Sequence, residues 1–457
     1  MFLLYSILLS IGFLLMLPSF FLRRQKYAEG LRQRLGRYPT FIHDGRPVIW
    51  LHCVSVGETN AARPLVVAIR RSFPDHRLVV STITQTGQAL AQKVFTGKAD
   101  SVFYFPFDWK FSVKRALDHF RPSVVMLMET EIWPRFVLEA GKANARIAIV
   151  NGRLSERSFR RYRLALPLFG TVFRRIDLAL MQTEKEAGRI LSLGVDADRV
   201  SVTGNLKFDI ELAADELTAT SELGKRFSLS QEGRSDAPRR PLIVAASTHE
   251  PEERIILEAY CSVAAGKGQR KPKLLIAPRH PERFEAVERM ANDLRNDPSC
   301  EWPQFSTVLR SDNPSANDAA ADVIILDSIG ELRAVYPLAD IVFVGGSLIP
   351  HGGQSVLEPA AAGKAIVTGS HTKNFEQVVR AFLENDAIVQ LPDRVGAQMV
   401  DELFDVITDL LDEPERLEIL GHNALAVMNA NRGATGKTIA ALNRVILSRR
   451  LTSTTNQ

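Results

Sequence analysis

The sequence predicts an α/β chain of two Rossmann-like halves facing across a cleft, preceded by a membrane-anchoring helix. Three observations lead there. From Val48 onward, short apolar runs alternate with helical patterns. A polar stretch from Glu211 to Arg240 breaks that alternation, which then resumes. Met1 to Leu22 carries no charged residue. Buried-run strands joined by helices are the mark of parallel βαβ units.

The 457 residues suit two or three domains, at roughly 150 residues each. Hydrophobic residues make up 46% and charged residues 24%, which excludes a disordered or collagen-like chain. A polytopic membrane protein is excluded too, because one stretch alone is apolar enough to span. The three cysteines, Cys53, Cys261 and Cys300, are far apart and show no metal-ligand spacing. Inert thiols in a reducing compartment are expected, with no metal site. The segment Arg23–Arg37 sets six basic residues against Glu29, an excess equal to the +5 of the whole chain. A nucleic-acid binder would need a basic face elsewhere, so no nucleic-acid partner is expected.

As a helix, Met1–Leu22 would be roughly 33 Å long against a hydrocarbon core of about 30 Å. A cleaved signal peptide would carry a basic start and a small-residue cleavage site, and both are missing. Charge lies only on the C-terminal side, so the rest of the chain is expected in the cytoplasm. Pro18 leaves a monotopic segment open. The expected organisation is an anchor at 1–22, a first α/β domain at 23–210, a linker at 211–240, a second α/β domain at 241–430, and a C-terminal helix and tail at 431–457.

Strands are expected at Val48–Val54, Leu78–Thr82, Val102–Phe105, Val124–Met128, Ile147–Val150, Leu178–Gln182 and Val200–Thr203. The second half supplies Leu242–Ala246, Leu274–Ala277, Val323–Leu326, Ile341–Val344 and Ala365–Thr368. Helical patterns such as Ala61–Arg71 and Glu184–Leu193 lie between, and the chain finishes in helical patterns from Gln398 to about Arg449. In open parallel sheets ligands bind at the carboxyl ends of the strands, so the residues after each strand are the candidates.

The first strand runs into Ser55-Val56-Gly57-Glu58. Such a turn lets an anion or a backbone approach closely. Glu58 reads either as a catalytic carboxylate or as a dipole partner of the helix it opens. After Val124–Met128 come Glu129 and Glu131 around Thr130. Two carboxylates behind a buried strand are costly unless paired or capping, and one of them is expected to cap the helix that Pro134 begins. Lys207, after Val200–Thr203 and beside Gly204, is placed to meet an anion or to be a solvated surface lysine.

In the second half, Ser247-Thr248-His249 and Pro278-Arg279-His280 bring anion-binding residues to helix N-termini. Ile329-Gly330-Glu331 follows the third strand. Gly345-Gly346 and Gly352-Gly353 precede Ser355-Val356-Leu357-Glu358, which suggests backbone amides at a phosphate and a carboxylate at ribose hydroxyls. Together they predict a nucleotide site. Gly433 to Thr438 imitates a phosphate-binding loop, but position 431 is Asn and no strand precedes it. The basic, aromatic stretch Glu156–Ile176 reads as an amphipathic helix pair or as a surface against anionic lipid.

Six of these segments occur in one order: His52–Leu65 (HCVSVGETNAARPL), Met128–Pro134 (METEIWP), Thr203–Asp209 (TGNLKFD), Ser247–Glu250 (STHE), Pro278–Arg283 (PRHPER) and Gly352–Ala360 (GGQSVLEPA). In that order they resemble the bacterial 3-deoxy-D-manno-octulosonic acid (Kdo) transferases of lipopolysaccharide synthesis. The resemblance runs from the N-terminal segment to at least Asn374.

The resemblance implies a GT-B glycosyltransferase at the cell inner membrane, with its catalytic domains on the cytoplasmic side. It implies CMP-Kdo as donor and a lipid A precursor as acceptor, without a nicotinamide cofactor; no cofactor or metal is expected, and anionic membrane lipid as a surface partner is the expectation from the stretch Glu156–Ile176. By the same carry-over Glu58 is the general base, and Glu129 and Lys207 stabilise the transition state. Pro278, Arg279, Ile329, Gly330, Glu331, Ser355, Val356, Leu357 and Glu358 hold CMP. The family often has His-Asn-Pro where this chain has Gln354-Ser355-Val356, which puts the Ser355 contact in doubt. The alternatives are another GT-B enzyme using a UDP-sugar, either a lipid GlcNAc transferase or an epimerase, and a membrane-anchored nucleotide-sugar binder without catalysis.

Overall fold

The computed structural model describes residues 5–7, 9–15, 30–210, 214–230, 239–266, 271–296 and 305–454. The chain divides into two compact units, Met1–Asp209 with Asn431–Gln457, and Ile210–Ala430.

The first unit is built on seven strands: β1 (Val48–His52), β2 (Arg77–Thr82), β3 (Ser101–Tyr104), β4 (Pro122–Met128), β5 (Arg146–Gly152), β6 (Leu178–Met181) and β7 (Val200–Val202). All pair in parallel, in the order β3-β2-β1-β4-β5-β6-β7. The winding reverses between β1 and β4, which is where an open α/β sheet opens a crevice at its carboxyl edge. Both sheet faces are dry. On one, Trp50 packs edge-on against Phe103 and Phe136, and its indole N–H donates to Ser81 Oγ at 2.7 Å. On the other, Leu51, Val80 and Met126 meet Leu65, Val66 and Leu442. Each such buried aliphatic side chain contributes about 1.5–3 kcal/mol. The helices begin where Ser or Thr can cap: Ser55 and Thr183 each accept from a backbone amide three residues on, and each is followed at that place by a glutamate, Glu58 and Glu186. That is the capping-box pattern.

The second unit holds β8 (Leu242–Thr248), β9 (Lys273–Pro278), β10 (Thr307–Leu309), β11 (Val323–Ile325), β12 (Ile341–Val344), β13 (Ala365–Thr368) and β14 (Val389–Gln390). They too are parallel, ordered β10-β11-β9-β8-β12-β13-β14, with the reversal between β8 and β12. The edge strands β10 and β14 were not among the sequence expectations. They are three and two residues long and only half-buried, so neither makes the continuous apolar run that marks a buried strand.

Within the expected linker, Ala214–Arg226 is helical and belongs to the second unit, where Thr220 Oγ donates to Ala334 O at 2.8 Å and Arg226 pairs with Asp318 at 2.6 Å. Residues 211–213 and 231–238 of it lie outside the described residues. The C-terminal helix Ala434–Thr454 instead joins the first unit. The glycine-rich imitation loop Gly433–Thr438 forms its start, and the Asp209 carboxylate accepts from Gly433 N at 2.7 Å and Thr435 N at 2.5 Å. Those amides are therefore committed to a carboxylate of the protein itself.

Residues 5–7 and 9–15 are helical and sit on the first unit. The Tyr5 hydroxyl donates to Asp108 at 2.7 Å, Trp109 Nε1 donates to Ser10 Oγ at 3.1 Å, and Phe13 stands edge-on to Phe107 and Trp109. No helix among the described residues is long and apolar enough to cross a membrane. The rest of the expected anchor lies outside the described residues. The stretch expected as a helix pair is one helix, Glu156–Phe173.

Candidate active site

Glu58 stands in the first turn of the helix Val56–Ala61, directly behind β1, and is 7% exposed. Val54 N–H donates to its Oε2 at 2.8 Å, and the Ser55 hydroxyl donates to Oε1 at 3.2 Å. Burial is the largest influence on this carboxyl and pushes it up to about 8. The Val54 and Ser55 hydrogen bonds pull the other way, and the charges of Glu129 and Glu131 add to the rise. Three carboxyl groups thus gather at the carboxyl ends of β1 and β4, the two strands that flank the reversal of winding. Glu131 is also raised, by burial and then by Glu129. The neighbouring Cys53 is fully buried, and burial with the Glu58 and Glu129 charges keeps its thiol protonated.

Neither Glu129 nor Glu131 caps the next helix, contrary to the expectation from sequence. The first amides of Pro134–Lys142, those of Arg135 and Phe136, donate to the buried Asp108 at 2.9 and 2.7 Å. A carboxylate 27 residues upstream of Arg135 does the capping, and the pair behind β4 is left for other work. Glu129 has φ of 54°, the left-handed region that costs a residue with a side chain 1–2 kcal/mol or so. Sequence patterns carry no sign of that strain.

Lys207 lies in the 3-10 turn Leu206–Phe208 after β7. Its Nζ meets Glu129 Oε1 at 3.4 Å. The turn is pinned from two sides: Asn205 Oδ1 accepts from Lys207 N at 3.0 Å, and the fully buried Asn151, at the end of β5, accepts from Leu206 N at 2.9 Å. Glu58, Glu129 and Lys207 are therefore neighbours although 149 positions separate the first from the last.

The other candidates belong to the second unit. Pro278 ends β9 and is buried, whereas Arg279 after it is exposed. Arg279 N donates to Thr248 O at 2.9 Å, tying this turn to the end of β8. Arg279 and Glu358 converge on Tyr336. Burial raises that phenol, the Glu358 charge raises it further, and Arg333 and Arg279 oppose. Ile329 is 70% exposed and Gly330 has φ of 98°, in a turn held by Glu331, which pairs with Arg310 at 2.8 Å and with the Ser328 hydroxyl. Val356 and Leu357 are buried, and Ser355 Oγ accepts from Leu357 N at 3.4 Å.

The first glycine pair does not offer its amides to a phosphate. Fully buried Glu252 accepts from Gly346 N at 2.7 Å, from Ser347 N and Leu348 N at 2.9 Å, and from His249 N at 3.0 Å. Gly345 is required for another reason, since a Cβ there would sit 2.7 Å from Ser247 O. Glu252 lies outside the Ser247–Glu250 motif and could not be picked out from the sequence. It lies three residues after the strand-end His249, where it looks like one more surface helix residue.

Two parallel α/β units with strand-end sites of this kind define a two-domain, GT-B-like protein. A solved UDP-GlcNAc 2-epimerase from Neisseria meningitidis has that fold in common with it, at a TM-score of 0.55 and 13% identity over 87% of this chain and 100% of the other. Residues 29–210 match the family described as 3-deoxy-D-manno-octulosonic-acid transferase (kdotransferase). The 3-deoxy-D-manno-octulosonic acid transferase of Haemophilus influenzae is 35% identical over 90% of each chain. The C-terminal CMP-Kdo binding domain of WaaA from Acinetobacter baumannii is 31% identical, over 47% of this chain and 99% of that one, with a TM-score of 0.39. The chain belongs to the Kdo transferase family and is a glycosyltransferase.

Proposed function

We propose that the protein transfers Kdo from CMP-Kdo to a lipid A precursor, with Glu58 as general base. The observation that carries this is the Glu58, Glu129 and Lys207 constellation at the switch point of the first sheet. The acceptor hydroxyl oxygen attacks the anomeric carbon, the carbon–oxygen bond to the phosphate breaks, and CMP leaves with the electron pair. The hydroxyl proton goes to the Glu58 carboxylate. A carboxyl poised near 8 is a strong base once ionised, which suits abstraction from a sugar hydroxyl. Lys207 brings positive charge and is oriented by Glu129, which suits stabilisation of charge developing in the transition state. Arg279, the Ile329–Gly330–Glu331 turn and the Ser355–Glu358 segment supply a cation, backbone amides and a carboxylate for CMP.

A membrane surface as the workplace is supported by apolar side chains turned to solvent. Ile7, Ile11, Leu14 and Leu15 on the N-terminal helical residues are exposed, as is Phe111 between Lys110 and Lys114. Leu164 is 83% exposed among Arg157, Arg160, Arg161 and Arg163. Apolar residues ringed by cations suit an anionic bilayer, which supports a reading in which the protein works at the inner-membrane surface, on the cytoplasmic side.

The test is incubation with CMP-Kdo and tetraacylated lipid A precursor, with the lipid products weighed by mass spectrometry. Lipid heavier by whole Kdo units supports the reading. No CMP release with any lipid acceptor, alongside turnover of a UDP-sugar, overturns it.

A further inference from the structure

Three histidines that the preceding reading leaves without work meet on the second unit. His249 follows β8, His280 follows β9 and His351 follows β12. The His249 ring lies 4.6 Å from that of His351 and 5.3 Å from that of His280, between centroids. Gln354 Nε2 is 3.3 Å from His249 Nε2. His249 and Gln354 are half-buried, and the other two rings are exposed. The group straddles the reversal between β8 and β12 and adjoins Arg279.

The local charge is one-sided. Burial, then His351, His280, Arg279 and Arg283, hold His249 down to about 4. The nearby carboxylates are already engaged: Glu250 and Glu253 pair with Arg283, and Glu252 is consumed by four amides. Among the described residues, no carboxylate is hydrogen-bonded to any of the three rings. Nor do three such side chains converge tightly enough there to hold a metal ion. Imidazoles and an amide crowded beside an arginine, without a counter-charge, make a place for an anion.

The donor brings two anions. Its phosphodiester links the nucleotide to the sugar, and the octulosonic acid itself carries a carboxylate. In the sheet order β11-β9-β8-β12, the Glu331 turn, Arg279, His249 and His351 follow one another along the carboxyl edge, with strands about 4.8 Å apart. We propose that His249, His280, His351 and Gln354 form a cup for the sugar carboxylate of the donor, which selects an acidic sugar over a neutral one. This rests on the donor reading above.

The experiment titrates the full chain, without acceptor, with CMP-Kdo and with the methyl ester of CMP, which has the same phosphodiester and no carboxylate. The variants are His249→Asn and His351→Asn, with His351→Arg as the variant that keeps a long N–H donor at that place. His351 is on an exposed loop, so that pair folds as the wild type does. Each Asn variant is expected to weaken CMP-Kdo by about tenfold, as loss of a charge-assisted hydrogen bond should, while His351→Arg and the methyl ester stay within about threefold. Equal weakening of both ligands would make the cup a phosphate site and overturn the proposal, and so would no weakening of either. A wild-type chain that binds the methyl ester but prefers it to CMP-Kdo sinks the cup alone. A wild-type chain that binds neither removes the donor reading and the cup with it.

Discussion

A base must give up its proton before it can take another, and at Glu58 the surroundings resist that first step. The free protein holds this carboxyl near 8, so the rate constant kcat/KM should rise with pH to a limb near 8 and level off above it. A pH–rate series between 6 and 10 checks this, and a limb at 5 or below would contradict it. The same shift has a stability consequence. A carboxyl whose folded value lies above its unfolded 4.5 makes the fold progressively less stable as pH rises from 4.5 through 8, because the folded state binds the extra proton. Glu58→Gln removes that loss. Its Tm should exceed the wild type by about 3 °C at pH 9 and match it at pH 4. Glu58 could be picked out in the sequence because a Ser-Val-Gly-Glu turn ends a buried strand. The role of Glu131 beside it was hidden, since capping of the Pro134 helix was an equally good use for a carboxylate. Only the fold brings Asp108 to that helix and frees the pair.

Between residues and the whole lie the loops that end the strands, and here one carboxylate does most of the positioning. Glu252 gathers the amides of His249, Gly346, Ser347 and Leu348, joining the ends of β8 and β12. Glu252→Ala should cost about 3 kcal/mol, the penalty of orphaning several buried amides, and Glu252→Gln less. Urea denaturation followed by a probe in the second unit measures it. Asp209 does the same for the C-terminal helix. Asp209→Ala should cost about 1 kcal/mol and speed hydrogen exchange at the start of Ala434–Thr454. Most strands were legible as apolar runs between helical patterns. β10 and β14 were not, because two or three half-buried residues carry no periodicity. The glycine pair at Gly345–Gly346 was misread for a physical reason: a phosphate and a buried carboxylate ask the same thing of backbone amides.

At the scale of the whole molecule, two parallel sheets of seven strands each reverse their winding once, and the candidate residues fall at the carboxyl ends of strands, Glu58 and Glu129 beside the first reversal and Ser355–Glu358 after β12 beside the second. That could be anticipated, since strand-end motifs can be read before the strand order is known. Which of them become neighbours could not, because Glu129 and Lys207 meet only through the order β4-β5-β6-β7. Surface charge carries its own prediction. Binding to vesicles with anionic headgroups should weaken as salt rises from 0.05 to 0.5 M, roughly, and Leu164→Glu should weaken it further. Retention independent of salt and of this substitution would remove the lipid role from the Glu156–Phe173 helix. The proposed reaction depends most on Glu58 as the group that takes the acceptor proton. Its most direct test is transfer from CMP-Kdo to tetraacylated lipid A precursor by wild type beside Glu58→Ala, both confirmed to bind donor. With Glu58 as the base, the wild type should give Kdo-bearing lipid and the variant should lose about a thousandfold in rate. A variant that still transfers Kdo at a wild-type rate would contradict it.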